Sequence, residues 1–196
     1  MPHALVLWLL AWSLAAGTAL AEPVAPVGRN LFAFGGRMTA EAMPKSVNIP
    51  GVSYEDNGIL GIGIQRWTWR GRHVDIGYEG GLAHRFGRDT TTEAWAGIGI
   101  RCCRYRLMRD LVLTPSIIFG LSYVDAAHLG RETEQVARDD GDAQLLFYLS
   151  PELEIAAPDT DWSVFWRLHH RSGGGQTLGN MRGATNANVV GLRLRF

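Results

Sequence analysis

Asn188-Val-Val-Gly-Leu-Arg-Leu-Arg-Phe196, the C-terminal stretch, decides the fold. Val190, Leu192, Leu194 and Phe196 fall on one parity; Gly191, Arg193 and Arg195 fall on the other. Successive side chains of a strand point to opposite faces, so this segment carries one apolar face and one cationic face. The same alternation recurs upstream. Phe32, Phe34 and Met38 oppose Ala33, Gly35 and Arg37; Leu60, Ile62 and Ile64 oppose Gly61, Gly63 and Gln65. Val74, Ile76, Tyr78 and Leu82 oppose Asp75, Gly77, Glu79 and Arg85, and Ala94, Ala96, Ile98 and Ile100 oppose Glu93, Gly97, Gly99 and Arg101. Segments starting at Leu111, Leu145 and Trp162 repeat the pattern, for eight predicted strands in all.

Most of these segments run about 9 to 13 residues, the length a tilted strand needs to cross a bilayer. The polar parity holds glycines and charges of both signs, Asp75, Glu79, Glu93, Glu152 and Glu154 against Arg37, Arg85, Arg101, Arg167, Arg193 and Arg195. Eight strands close into a barrel just wide enough for side chains to fill, and buried charges of mixed sign can pair there. An aromatic residue ending the last strand resembles the pattern of outer-membrane barrels. The expected fold is all-β, an eight-stranded antiparallel transmembrane β-barrel of the outer membrane. Trp67, Trp69, Trp162 and Trp166 read as girdle residues at the membrane interfaces.

Residues 4–16 form an apolar run followed by Ala19-Leu20-Ala21, the pattern of a secretory signal peptide cleaved after Ala21. Residues 1–21 are therefore expected to be removed, leaving 22–196 as one barrel domain in the outer membrane of a Gram-negative cell. The bulk numbers alone suggest otherwise. The 196 residues are 46% hydrophobic and 19% charged with zero net charge, and the mean hydropathy is -0.02, as in many soluble proteins. Period-two alternation cancels in any such average. Zero net charge argues against nucleic acid as a partner. Cys102 and Cys103 are adjacent, which makes neither a disulfide scaffold nor a zinc motif. No metal and no cofactor is expected.

Connections after the second, fourth and sixth predicted strands are short; those after the first and fifth, Thr39 to Asn57 and Asp125 to Asp142, are long and polar. Outer-membrane barrels have short periplasmic turns and longer outer loops, so the seventh strand runs outward. The stretch from Gly130 to Asp142, acidic and basic by turns, reads as a solvated loop.

That seventh strand ends Leu168-His169-His170-Arg171-Ser172-Gly173-Gly174-Gly175. His170 and Ser172 share the parity of Trp162, Val164, Trp166 and Leu168, the lipid side, at the outer-leaflet end. Histidine as base and serine as nucleophile form the minimal activated-hydroxyl pair, and Gly173 and Gly174 can offer backbone N–H groups to an oxyanion. A histidine at headgroup level is equally at home as an interfacial residue. His169, of opposite parity, reads as an interior hydrogen-bonding residue. Asn186 and Asn188 open the eighth strand on the lipid side. An amide carbonyl can orient an imidazole, which makes Asn186 the candidate third member; the alternative is that both asparagines only cap the strand.

The strand pattern and the His-x-Ser resemble the PagL-type lipid A 3-O-deacylases, and more closely an acyloxyacyl-hydrolase-like branch of outer-membrane proteins. The motifs are His169 to Gly173 and the terminal Gly191 to Phe196. The resemblance implies an ester hydrolase acting on lipid A of lipopolysaccharide, with His170 as base and Ser172 as nucleophile. It also implies a glutamate where this chain has Ala184, and an asparagine where it has Gly173; no Asp or Glu follows Asp161. The alternative is therefore a non-catalytic small barrel, serving adhesion or membrane integrity, that has lost the catalytic acid. Both readings are compatible with a homodimer.

Overall fold

The computed structural model describes residues 28–108 and 110–196; the expected signal peptide lies outside them. The strands are β1 (Arg29–Thr39), β2 (Tyr54–Arg70), β3 (Val74–Phe86), β4 (Thr91–Cys102), β5 (Tyr105–Met108), β6 (Leu111–Val124), β7 (Leu145–Ala156), β8 (Trp162–Ser172) and β9 (Ala184–Arg195). All pairings are antiparallel, β1 joins β9, and β4 joins β6, so the sheet closes. Eight strands make the wall. The short β5 also pairs with β6 and extends β4 beyond a break, within a connection expected to be a plain turn.

Leu60, Ile62, Ile64, Leu82, Ile98, Phe119, Val190 and Leu192 stand outward and exposed. Such a continuous apolar belt suits hydrocarbon, because in water it would drive aggregation. Among the described residues no helix is long and apolar enough to cross a membrane.

The interior corrects two expectations. Phe32, Phe34 and Met38 point inward and are buried, whereas the parity rule, taking apolar as outward, placed them on lipid. The reason is packing. Cβ atoms added at Gly63 and Gly61 would run into the Phe32 and Phe34 rings, and one at Gly191 would meet Phe165. The inward glycines make room for aromatic rings, so a narrow barrel has a packed core rather than a wet lumen. Trp67 is likewise inside, with Arg101 stacked 4.4 Å from its ring. A register shift between Trp67 and Trp69 turns only Trp69 outward. Trp162 is exposed and Trp166 half-buried.

Charge fills the rest. Arg167 donates to Glu79 (2.7 Å) and to Glu152 (2.6 and 2.9 Å), with its guanidinium 4.9 Å from the Phe32 ring. Arg193 reaches Glu152 and Glu154. Higher up, Glu93 binds Arg85, Ser122 and His169.

The long-loop end is closed. The 125–144 connection carries a helix, α2 (Arg131–Asp139), after the single-turn α1 (Met43–Ser46) of the first loop. Glu132 of α2 drops into the barrel mouth, where it binds Arg85 and Arg171 and accepts from Thr185 and the His128 amide. The stretch expected to be a solvated loop is a plug. Ala143, Leu146 and Met181 form a small apolar core beside it.

Candidate active site

β8 presents its two faces to different worlds. Arg167, His169 and Arg171 face inward; Leu168, His170 and Ser172 face outward. His169 is fully engaged inside, its Nε2 2.9 Å from Glu93 and its Nδ1 3.3 Å from the Tyr148 hydroxyl. His170 has another environment. Its strand partner on β9 is Asn186, and His170 Nδ1 lies 2.6 Å from Asn186 Oδ1.

The orientation of that amide is fixed from the other side. Asn186 Nδ2 donates to the Glu41 carbonyl at 2.8 Å, which turns Oδ1 toward the ring. An acceptor at Nδ1 requires the proton there, so the neutral imidazole keeps its lone pair on Nε2. Ser172 follows two residues on, about 6.6 Å further along the strand, on the same face and half-buried.

The Glu41 carbonyl belongs to a strap that no pattern of residues announces. The segment Glu41–Ser46 folds down over the outward face of β9, and Asn188 Nδ2 donates to the Ser46 carbonyl at 2.9 Å. Ser46 is pinned in turn by Thr39, hydroxyl to hydroxyl at 2.8 Å. Both asparagines therefore hold the strap as well as the strand. Its contacts run through backbone carbonyls, which any residue supplies, so no residue type marks it. Next to this strap His170 is only 5% exposed, while Ser172 is half-buried.

Beyond Ser172 the chain turns through Gly173, Gly174 and Gly175. The Leu178 amide donates to the Gly173 carbonyl at 2.9 Å, and Thr177 Oγ1 donates to that of Gly174. Gly174 and Gly175 have φ of +61° and +71°, a region that disfavours other residues. A Cβ at Gly173 would collide with the Met181 carbonyl, which gives a steric reason against the asparagine of the family pattern. Ala184, where that pattern has glutamate, is the strand partner of Ser172.

The structure thus joins His170 to Asn186 and sets Ser172 and the glycine turn further along the same strand, with no hydrogen bond between Ser172 and His170 among the described residues. Cys102 and Cys103 are free thiols at the opposite end of the barrel. Among the described residues no group of three His, Cys, Asp or Glu side chains is placed to hold a metal.

No family model and no curated protein sequence matches the chain. Solved structures do. The crystal structure of the outer membrane enzyme PagL superposes with a TM-score of 0.56 at 9% identity, covering 84% of this chain and 98% of that one. Neisserial surface protein A superposes with a TM-score of 0.52 at 9% identity, covering 86% of this chain and 97% of its own. At these identities the likeness is one of fold: the chain has the closed eight-stranded architecture of outer-membrane β-barrels.

Proposed function

We propose that this protein is an outer-membrane esterase of the PagL type, which hydrolyses an ester-linked acyl chain of lipid A at the outer leaflet. One observation carries the reading: the outward His170 bonded through Nδ1 to an amide oxygen, with Ser172 next on the same face. With Nδ1 bonded to the amide oxygen and Nε2 left as the acceptor, the arrangement is that of an oriented base.

In this mechanism Ser172 Oγ attacks the ester carbonyl while His170 Nε2 takes the hydroxyl proton. The carbonyl oxygen becomes an oxyanion, which the Gly173 and Gly174 amides stabilise. Collapse breaks the bond to the sugar oxygen, which leaves with the proton from His170, and the acyl group stays on Ser172. Water then repeats the sequence, deprotonated by His170, and releases the fatty acid. Asn186 holds the ring and its tautomer without a charge of its own. The partners are lipopolysaccharide and the membrane; the chemistry needs water and no cofactor.

The near-complete cover of His170 by the strap favours a second reading, a non-catalytic barrel whose asparagines only anchor the first loop. Mass spectrometry of lipid A after incubation with wild-type and Ser172→Ala protein in outer-membrane-like bilayers separates the two. Loss of one acyl chain with the wild type and none with Ser172→Ala is expected. Intact lipid A in both arms would end the esterase reading.

A further inference from the structure

At the short-turn end, opposite the candidate active site, the barrel opens into a small cavity of about 50 Å³. Arg101, Arg104, Arg193 and Arg195 line it against two carboxylates, Glu154 and Asp161. Most of this charge is engaged. Arg101 donates to Asp75 at 2.9 Å, Arg193 to Glu154 and Glu152 at 2.6 and 2.8 Å, and Arg195 to the Thr160 carbonyl, with Asp161 3.5 Å away.

Two donors are left over. Arg193 is 2% exposed, yet its Nε–H has no acceptor. A buried guanidinium N–H without a partner costs free energy unless something completes it. Arg104 has no hydrogen bond or ion pair among the described residues. Its position is built, not incidental. Arg101 pairs with Ser116 and Tyr105 with Leu113, so the register slips by one residue across Cys103, which takes a left-handed φ of 47°. Strict alternation from Arg101 would send Arg104 outward; the extra residue turns it into the mouth, as bulges do.

We propose that this mouth binds a small oxyanion of the phosphate class, held by the Arg104 guanidinium fork and the Arg193 Nε–H. Guanidinium groups suit such a ligand because their planar N–H pairs match two oxygens at once. The site is independent of the esterase reading, being at the other end of the barrel.

The test is calorimetric titration of inorganic phosphate into the full mature chain, folded in zwitterionic detergent at constant ionic strength. One saturable site is expected, with the Arg193 Nε–H resonance shifting as it fills. Arg104→Gln should weaken binding by about tenfold or more, the size of one lost charge-assisted contact. Arg72→Gln, a change of an exposed arginine in the neighbouring turn, should leave it unchanged. A parallel arm replaces phosphate by vesicles of phosphatidylglycerol against phosphatidylcholine. A shift of the Arg193 signal seen only there would assign the oxyanion to a lipid headgroup, at the same site. Absence of saturable binding in both arms, or equal weakening by Arg104→Gln and Arg72→Gln, would overturn the proposal.

Discussion

His169 and His170 are neighbours in sequence and opposites in environment. His169 sits between Glu93 and Tyr148, with both ring nitrogens occupied, inside a lattice of ion pairs that fills the barrel. His170 touches one amide oxygen under a strap of backbone, with no carboxylate bonded to it. A residue whose bonds are all satisfied by the protein supports the fold. A residue held on one nitrogen only is available for chemistry on the other. The inner face of β8 is thus the structural one, and the outer face is the one to test for activity.

The contrast between the two histidines breaks most visibly at His170 itself. His170→Ala should lower lipid A deacylation by about 10³-fold or more, as expected for loss of the base in a unit that acts together. The barrel should still fold, as read by the heat-dependent gel shift of outer-membrane barrels. Unfolding of the variant would instead make the outer histidine as structural as its neighbour.

Inside, the largest effect is expected at Arg167. Arg167→Met leaves Glu79 and Glu152 buried beside an apolar side chain. Breaking a buried pair in this way costs roughly 3–5 kcal/mol. Urea unfolding in bilayers should report that loss, with residual activity scaling with the folded fraction. Activity falling far below that fraction would mean that the two faces communicate.

Asn186→Ala sharpens the outer side. It removes orientation but no charge, so a fall of about 10²-fold in kcat is expected, the scale of a misplaced catalytic group, with little change in KM. Unchanged kcat would reduce Asn186 to an anchor for the strap. The smallest effect lies in the plug. Burial holds the His128 imidazole below its usual pKa, against the pull of nearby Asp89. A base whose folded pKa is depressed contributes its stability above the unfolded value, about 6.5, and loses it as pH falls from there toward the folded value. Protection factors of residues 125–144 against hydrogen exchange, corrected for the intrinsic pH dependence of amide exchange, should therefore fall between pH 7 and 5.5 in the wild type and much less in His128→Gln. Equal pH response in both would exclude His128 as the cause.

Much of the contrast between the two faces is legible in the order of residues. Alternation puts His169 inside and His170 outside, places Asn186 on the face of His170, and names most of the charges that pair in the interior; Arg37, expected among them, is exposed and donates to the Glu55 carbonyl, because β1 turns its aromatic parity inward. It fails at β1 and at Trp67, because it equates apolar with outward. Phe32, Phe34 and Trp67 are inside since glycines on neighbouring strands leave room for rings, a relation between residues about 30 positions apart. It also misses α2 as a plug. The composition of residues 131–139 suits a helix, but nothing in it foretells the docking of Glu132 onto Arg85 and Arg171.

The sequence by itself determined the period, the number of wall strands and which residues of a regular strand share a side. Those follow from local backbone geometry, which repeats every two residues regardless of the rest of the chain. Tertiary structure alone decided which carbonyl turns the Asn186 amide toward His170, what closes the long-loop mouth, and why Arg104 faces the other. Each of these depends on closure of the sheet, on one bulge in its register, or on a loop returning across it. Such contacts join distant parts of the chain through backbone groups that carry no residue identity, so nothing in the order of side chains announces them.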